Sequence, residues 1–374
     1  MKRIIIFNSS AFIYGSEKGL LNLIKALRKN FRITVVLPER GPLEERIRRL
    51  SPRIEIKRFP LAIISSSLSP FYYIRFGLLS LIDIVYFTFY IIFKDMDIIC
   101  TNNLLLVFPG IVARITGKRH MWHVREFSSS RFLNSFLGRF IGRFSHTVIC
   151  QSDTIKDRLR LDDKAKVIYE PLDESDYKIH ASGPIKRELD LPADSKIIAL
   201  ISRIHPSKGQ LEFIKGIKDG LKKYEDLFLI IVGDISPFNL KNRLYKRRMK
   251  DLINKSGLKN VLLLGFREDI DRMLSLSDIC VFPFKREEPF GISVAESLAY
   301  GKPTFYPRTG GLKEIYDIFK EGEEPDIAKI LERVSGLRGC DSKGTERLRI
   351  PERISFLRYS REIIPIFEGE DERA

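Results

Sequence analysis

Two carboxylates, Glu288 and Glu296, lie eight residues apart on either side of a predicted helix start. Residues 278–284 form an apolar run typical of a buried strand, and after a polar loop Gly291 begins a helix that ends at Gly301. This order directs backbone N–H groups and the positive end of the helix dipole at an anion. Carboxylate oxygens accept hydrogen bonds from sugar hydroxyls. The stretch therefore predicts a nucleotide-sugar site.

Other polar and glycine residues follow the predicted strands of the second half of the chain. These strands are 196–202, 227–232, 260–264, 278–284 and 302–306. The residues that follow them are Arg203 and Lys208, Gly233, Arg267, Glu288 and Gly291, and 309–311. Because the carboxyl ends of parallel strands meet at one edge, we expect the five loops to converge on one crevice. The alternative for Arg203 and Lys208 is a pair of solvated loop cations.

In the first half, strand and helix patterns alternate, which predicts a second parallel, doubly wound sheet. The predicted strands are 2–7, 32–37, 53–58, 97–101, 119–124 and 146–150, with helices near 16–27, 105–116 and 131–144. His123 ends a strand and so lies at the edge where ligands of such sheets bind, although a lone histidine is more often structural. Gly15 precedes a helix, either as a simple tight turn or as a point of close approach for a phosphate or acceptor.

The chain has 374 residues, 44% of them hydrophobic and 30% charged, enough for two folded domains. Its net charge of +16 is concentrated at one end, since residues 1–150 hold 23 Lys and Arg against 9 Asp and Glu, a net +14. That excess indicates an anionic partner for the first half, such as a membrane surface, a lipid phosphate or a nucleic acid. No recognisable nucleic-acid motif is present.

The four cysteines, Cys100, Cys150, Cys280 and Cys340, are scattered, with no CxxC pair and no nearby histidine. This pattern favours a reducing cytoplasm and neither a metal site nor a disulfide framework. The first residues do not read as a signal peptide, because only four apolar residues separate Arg3 from Asn8. We therefore expect a cytoplasmic protein that needs no metal.

Two segments raise the question of a membrane. Residues 76–93 contain a single charge, Asp83, and predict a buried or interfacial helix, with a membrane span as the alternative. Residues 131–144 carry Phe132, Phe136, Phe140 and Phe144 at a spacing of four, with arginines between them. The pattern is typical of a helix that turns its phenylalanines to the core, and the alternative is a face that rests on an anionic bilayer.

Several of these stretches together resemble a known family. They are 202–209 (SRIHPSKG), 232–234 (VGD), 264–267 (LGFR), 288–296 (EPFGISVAE) and 301–303 (GKP), with weaker matches at 15–17, around His123 and at 167–169. The chain resembles, over about residues 1–315, the retaining glycosyltransferases of family 4, which have the two-Rossmann-domain GT-B fold. It departs from that family's pattern at Glu170-Pro171, where Asn-Gly is usual.

The resemblance implies two Rossmann-like parallel-sheet domains that face each other across a cleft. The first is expected at residues 1–178, for the acceptor, and the second at 179–351, for the nucleotide sugar. The C-terminal helix, 352–374, is expected to return to the first domain. Residues from about 176 to 194 predict a linker.

By the same resemblance, Arg203 and Lys208 hold the donor diphosphate and Glu296 binds the ribose. Glu288 binds the donor sugar, and His123 contacts that sugar near the reacting carbon. The remaining residues implied for the donor site are Gly15, Gly233, Arg267, Phe290, Gly291 and Ile292. No cofactor is implied besides the donor substrate.

The expected function is retaining transfer of a hexose-type sugar from a nucleotide-diphosphate sugar to a glycan or lipid-linked acceptor, at the inner face of the cell membrane. One alternative is a sugar-nucleotide epimerase on the same fold. Another is a non-catalytic basic protein that binds membranes or nucleic acid. A metal-dependent, single-sheet transferase using Asp95 and Asp97 is a weaker alternative, because that pair begins a strand and leaves the second half of the chain without a role.

Overall fold

The computed structural model describes residues 1–13, 15–64, 70–161, 164–235, 240–337 and 348–369. Cys340, named above, lies outside the described residues. The chain divides into two compact units. The first unit consists of Met1–Pro171 and Ile354–Ala374, and the second consists of Leu172–Arg353.

The described residues of the first unit contain seven strands. They are β1 (Arg3–Phe7), β2 (Arg32–Leu37), β3 (Glu55–Arg58), β4 (Ile98–Thr101), β5 (Arg119–Val124), β6 (Thr147–Cys150) and β7 (Ala165–Val167). All pair in parallel, in the order β3-β2-β1-β4-β5-β6-β7. Ile4 and Ile6 of β1 pack on one face and Ile5 and Phe7 on the other, so helices must cover both faces. The predicted doubly wound sheet is confirmed.

The helices of the first unit form two layers. One face of the sheet is covered by α1 (Gly15–Leu27), α2 (Pro42–Leu50) and the C-terminal α14 (Phe356–Glu368), and the other by α3 (Pro70–Phe93), α4 (Phe108–Thr116), α5 (Arg131–Phe144) and α6 (Asp153–Leu159). α14 packs on α1 and buries Ile363 and Phe367 in the core of this unit. The predicted return of the C-terminal helix to the first domain is therefore confirmed.

Two predictions about the helices of the first unit hold only in part. On α5, Leu137 and Ile141 are buried and Phe140 packs against the core cluster that contains them. Phe132 and Phe136 are 84% and 55% exposed, so the phenylalanines do not all turn to the core. α3 is predicted as a buried or interfacial helix, and it is not a buried one. It is long and apolar enough to cross a membrane, and only 17% of its most apolar stretch is buried.

In the second unit, the part of the chain that the structure describes contains five parallel strands. They are β8 (Lys196–Ile201), β9 (Leu227–Val232), β10 (Val261–Gly265), β11 (Ile279–Val281) and β12 (Thr304–Phe305), in the order β10-β9-β8-β11-β12. The helices of this unit are α7 (Ser182–Glu188), α8 (Gln210–Lys223), α9 (Leu240–Lys255), α10 (Ile270–Leu276), α11 (Ile292–Ala299), α12 (Gly311–Phe319) and α13 (Ile327–Ser335). Strands and helices alternate along the chain, which confirms the second Rossmann-like sheet.

The segment predicted as a linker, residues 176–194, contains structure of its own. Ile185 of α7 is buried, and the helix packs on α10. The ammonium of Lys186, also buried, donates hydrogen bonds to the carbonyls of Ala193 (2.9 Å) and Ser195 (2.7 Å). The linker prediction is wrong because this short, polar helix has too few apolar residues to show a helical period.

Candidate active site

The loops that follow β8, β9 and β10 are joined by backbone hydrogen bonds. The amide of Ile204 donates to the carbonyl of Asp234 (3.0 Å), and the amide of Gly233 donates to that of Gly265 (2.7 Å). Gly233 has φ +131°, and a Cβ there would lie 2.1 Å from the carbonyl oxygen of Ser202. A glycine is therefore required where these loops approach each other.

The loops that follow β11 and β12 join the same edge. The amide of Lys285, after β11, donates to the carbonyl of Ser207, in the loop after β8 (2.8 Å). The amide of Gly311, after β12, donates to the carbonyl of Glu288 (2.9 Å). The five loops thus form one continuous rim at the carboxyl edge of the second sheet, as the sequence predicts.

Lys208 and Glu288 form an ion pair on this rim. The ammonium of Lys208 lies 2.6 Å from a carboxylate oxygen of Glu288 and 4.2 Å from the centre of the Phe284 ring. Only 15% of the Lys208 side chain and 16% of the Glu288 side chain are exposed. Lys208 is therefore not a solvated loop cation, whereas Arg203 on the same loop is exposed.

The surroundings of His205 show that several cations face this loop. Burial lowers the pKa of His205, and the nearby positive charges of Arg203, Lys208 and Arg286 lower it further. Burial also lowers the pKa of Lys208; the negative charge of Glu288 opposes that fall and Arg203 adds to it. Cations held together in this way have a strong electrostatic preference for an anion.

The N-terminus of α11 adjoins this ion pair in sequence. Gly291 caps the helix with φ +98°, and a Cβ there would lie 2.3 Å from Leu312. Phe290 is completely buried and Ile292, the first residue of the helix, is partly buried. Because the side chain of Phe290 is committed to the core, what residues 290–292 can offer a ligand is chiefly their backbone N–H groups.

Glu296 lies inside the second unit, with only 2% of its surface exposed. The hydroxyl of Tyr177 donates a 2.8 Å hydrogen bond to its Oε1, and the ring of Tyr177 meets that of Tyr300 edge-on at 6.2 Å. Burial, and then the charge of Glu296, raise the pKa of Tyr177 well above its usual range. Tyr177 was not predicted, because it lies in the segment interpreted as a linker and no spacing connects it to Glu296.

Arg267 follows β10, as predicted, but its guanidinium is committed to its own unit. It forms ion pairs with Asp269 (2.6 Å) and Glu188 (3.4 Å), and the hydrogen bonds that it donates to the Asp269 carboxylate raise its pKa. A base that reached this loop would meet mainly the backbone of Arg267, which is how the family resemblance places it.

In the first unit, His123 is completely buried at the end of β5. The guanidinium of Arg125 donates to its Nδ1 (3.1 Å), so the proton of the neutral ring resides on Nε2. Burial, with the charge of Arg125, holds the pKa of His123 well below its usual value. Among the described residues Nε2 has no hydrogen-bond partner, so the ring has a donor to spare for a ligand.

Arg125 is itself fixed by a buried network that sequence reasoning missed. Its guanidinium forms an ion pair with Glu170 and donates to the carbonyl of Gly19 (2.8 Å) and the side chain of Asn102 (3.0 Å). Asn22 donates to the same Glu170 carboxylate (2.9 Å). The departure from the family pattern at Glu170 was the available signal, since its carboxylate holds the arginine that orients His123.

Gly15 is the first residue of α1 and is exposed. No described atom lies within 4 Å of the position that a Cβ would take there, and its φ is not in the left-handed region. The fold itself therefore does not demand a glycine at this position. Its role beside a phosphate or an acceptor stays a prediction.

Both the fold and the sequence of this chain are similar to those of known proteins. The structure of HepE (Alr3699) from Anabaena in complex with UDP and glucose superposes with a TM-score of 0.77, at 20% identity, over 99% of this chain and 100% of that one. That likeness shows the GT-B fold. The family model Glycosyltransferase Family 4 matches residues 13–176, and the model Glycosyl transferases group 1 matches residues 183–325. The chain belongs to this glycosyltransferase family.

Curated relatives match over shorter stretches. An uncharacterized glycosyltransferase of Methanocaldococcus jannaschii, MJ1607, is 28% identical over 162 residues, which is 41% of this chain and 39% of that protein. The lipopolysaccharide 1,2-N-acetylglucosaminetransferase of Salmonella typhimurium is 23% identical over 140 residues, 37% of each chain. The chain thus spans less than half the length of these two relatives.

Proposed function

We propose that this protein transfers a hexose-type sugar from a nucleotide-diphosphate sugar to an acceptor hydroxyl, with retention of the anomeric configuration. The observation that carries the proposal is the Lys208–Glu288 ion pair with Arg203 beside it, on the rim of the second sheet. Cations suit the donor diphosphate, and a carboxylate suits the sugar hydroxyls. Membership of the glycosyltransferase family supports the same assignment.

In this proposal the protein supplies fixed positive charge where the leaving group becomes negative. The acceptor oxygen forms a bond to the anomeric carbon as the bond from that carbon to the diphosphate oxygen breaks. The acceptor's proton passes to the departing phosphate. Lys208, Arg203 and the N-terminus of α11 stabilise the diphosphate without a metal ion.

We propose a lipid-linked or cell-envelope glycan as the acceptor, on the cytoplasmic face of the membrane. The net charge of +14 over residues 1–150 supports an anionic acceptor. The lipopolysaccharide transferase among the relatives supports a cell-envelope glycan. UDP-sugars are the first donors to test, because HepE was also solved with UDP-glucose.

Donor binding tests the proposal. A thermal-shift panel of nucleotide sugars, run with EDTA present, should contain one donor that stabilises the protein in proportion to its concentration over its Kd. We expect Lys208→Ala to weaken that donor's binding by about 10- to 100-fold, because the diphosphate loses a charged hydrogen bond.

The matched control is Lys285→Ala. This lysine, on the same loop as Glu288, pairs at the surface with Glu212 and is 52% exposed. An equal loss in both variants, or no stabilising donor at all, would overturn the proposed site. Product analysis with an acceptor mixture then decides the reaction, because isomerisation of the donor without transfer would indicate an epimerase.

A further inference from the structure

The outer face of α3 exposes an unusual amount of apolar surface. Ten large apolar side chains of this helix are each between 50% and 82% exposed. They are Phe71, Tyr73, Ile74, Leu78, Leu81, Ile82, Val85, Phe89, Ile92 and Phe93. Most recur at intervals of three or four residues, so they form one stripe along a helix about 36 Å long. Contiguous apolar surface of this extent marks a binding face.

The opposite side of α3 is anchored in the first unit. Phe87 and Ile91 are completely buried and pack with Ile5 of the central strand β1. The buried carboxylate of Asp83 accepts a 2.7 Å hydrogen bond from the amide of Ala62. A helix crossing a bilayer would have to give up these contacts and carry Asp83 into the lipid, which is costly. The geometry therefore favours a helix that keeps this side on the sheet.

Exposed apolar side chains also occur on the neighbouring helices of the same layer. α3 packs on α4 and α4 packs on α5, all on the same side of the sheet. On the outer surface of this layer, Ile115 of α4 is 56% exposed. Phe132 and Phe136 of α5 are also exposed, by 84% and 55%. The membrane-facing layer, as we name it, consists of the exposed apolar residues of α3 together with Ile115, Phe132 and Phe136.

Positive charges accompany these apolar side chains. Arg131, Arg139 and Arg143 of α5 are exposed, and so is Lys94, which follows the last residue of α3. At that end of α3, Lys94 adjoins the exposed apolar side chains of Phe89 and Phe93. Apolar side chains flanked by cations suit acyl chains beneath anionic headgroups.

We propose that the membrane-facing layer binds the surface of an anionic lipid bilayer, with α3 lying parallel to the membrane plane. The charge decides between this partner and a second copy of the chain. Self-association through the layer would bring like-charged arginines together in a unit that already carries a large positive excess, whereas an anionic bilayer neutralises them. The inference does not depend on the proposed donor site, because it concerns residues of the first unit and the donor site is built from residues of the second.

Vesicle flotation of the full chain tests the proposal. We expect binding to vesicles of phosphatidylcholine with 30% phosphatidylglycerol, and much weaker binding to phosphatidylcholine alone or at high salt. The double variant Leu78→Ser/Phe89→Ser should lower the partition coefficient at least about tenfold, because both side chains lose their contact with lipid. Arg139→Ala/Arg143→Ala should lower binding to the anionic vesicles by about tenfold or more and leave the weak binding to phosphatidylcholine vesicles unchanged.

The matched control is Leu357→Ser. Leu357 is 62% exposed on α14, on the opposite face of the same sheet, and its loss should leave partitioning unchanged. Equal effects of the α3 and α14 variants would overturn the proposal. The proposal would also be overturned if the wild type did not bind vesicles and light scattering showed it to be a dimer that dissociates in the α3 variant. Resistance of the bound protein to alkaline carbonate extraction would contradict the parallel orientation and indicate a span.

Circular dichroism establishes that the variants are folded. Nucleotide-sugar binding, followed by thermal shift in the absence of vesicles, should be the same in the α3 variant and the wild type. Failure of vesicle binding with donor binding intact therefore rejects the membrane-facing layer alone. The reverse result rejects the proposed donor site alone.

Discussion

The ammonium of Lys208 lies between the Glu288 carboxylate and the Phe284 ring, largely out of water. Burial makes its charged form less favourable, and the carboxylate offsets part of that effect. A bound diphosphate would bring further negative charge to the same ammonium. The affinity for a donor should therefore depend on the protonation of this one lysine.

We expect Glu288→Gln to move the alkaline limit of UDP binding to lower pH. The variant removes the negative charge that opposes the fall in the pKa of Lys208, so the lysine of the free protein loses its proton at a lower pH. Calorimetric titration with UDP across a pH series measures this shift. UDP lacks the transferred sugar of the donor, so direct contacts of Glu288 with that sugar do not contribute.

Glu212→Gln is the control for this prediction. It removes a carboxylate that pairs with exposed Lys285 on the neighbouring loop. Its UDP binding should follow the wild-type pH profile. If UDP binding by Glu288→Gln and by the wild type had the same alkaline limit, the ammonium of Lys208 would not be a ligand of the UDP phosphates.

At the scale of elements, α3 contains one buried carboxylate among apolar neighbours. Burial raises the pKa of Asp83 from 3.8 to about 7, although the hydrogen bond from the Ala62 amide works in the opposite direction. Below about pH 4 the folded and unfolded chains both hold this proton. Between about pH 4 and 7 only the folded chain retains it, so the free energy of unfolding falls as pH rises through that window.

We expect Asp83→Asn to remove that pH dependence and to stabilise the protein at pH 8. The amide keeps an oxygen for the Ala62 N–H and carries no charge to bury. A shift of this size corresponds to a gain of up to about 4 kcal/mol. Urea unfolding at pH 5 and pH 8 measures this gain in the free energy of unfolding. The control is Asp95→Asn, which removes a carboxylate that is 81% exposed. A wild type equally stable at both pH values would contradict the raised pKa.

At the scale of the whole molecule, the two units have separate hydrophobic cores. One cluster joins Ile6 of β1 to Phe367 of α14, and another joins Ile198 of β8 to Val334 of α13. Units with their own cores are able to unfold in separate steps. A ligand stabilises only the unit that holds its site.

Calorimetry should therefore resolve two transitions. We expect UDP at about 100 times its Kd to raise the transition temperature of the second unit, because binding adds about 2.7 kcal/mol to the free energy of unfolding of that unit. Asp83→Asn should raise the transition temperature of the first unit at pH 8. A response of the same single transition to both changes would contradict independent unfolding of the two units.

Much of the fold follows from local patterns. The bounds of β2, β5, β9 and α5 agree with the sequence prediction, because strands buried on both faces are continuous apolar runs and helices show a 3.6-residue period. α2 was not predicted and α7 was mistaken for a linker. Both helices are short, and neither has an apolar stripe long enough to show a period.

The sequence by itself determined the fold class, the five-loop rim and the loop positions of Arg203, Lys208 and Glu288. It could do so because the alternation of strands and helices along the chain, and the ends of the strands, follow from local patterns. Tertiary structure decided which side chains meet. It pairs Lys208 with Glu288 across 80 residues, Tyr177 with Glu296 across 119, and Arg125 with Glu170 across 45. It also decided that the apolar stripe of α3 faces outward, because an apolar pattern shows that a helix has a face to bury but not what covers it.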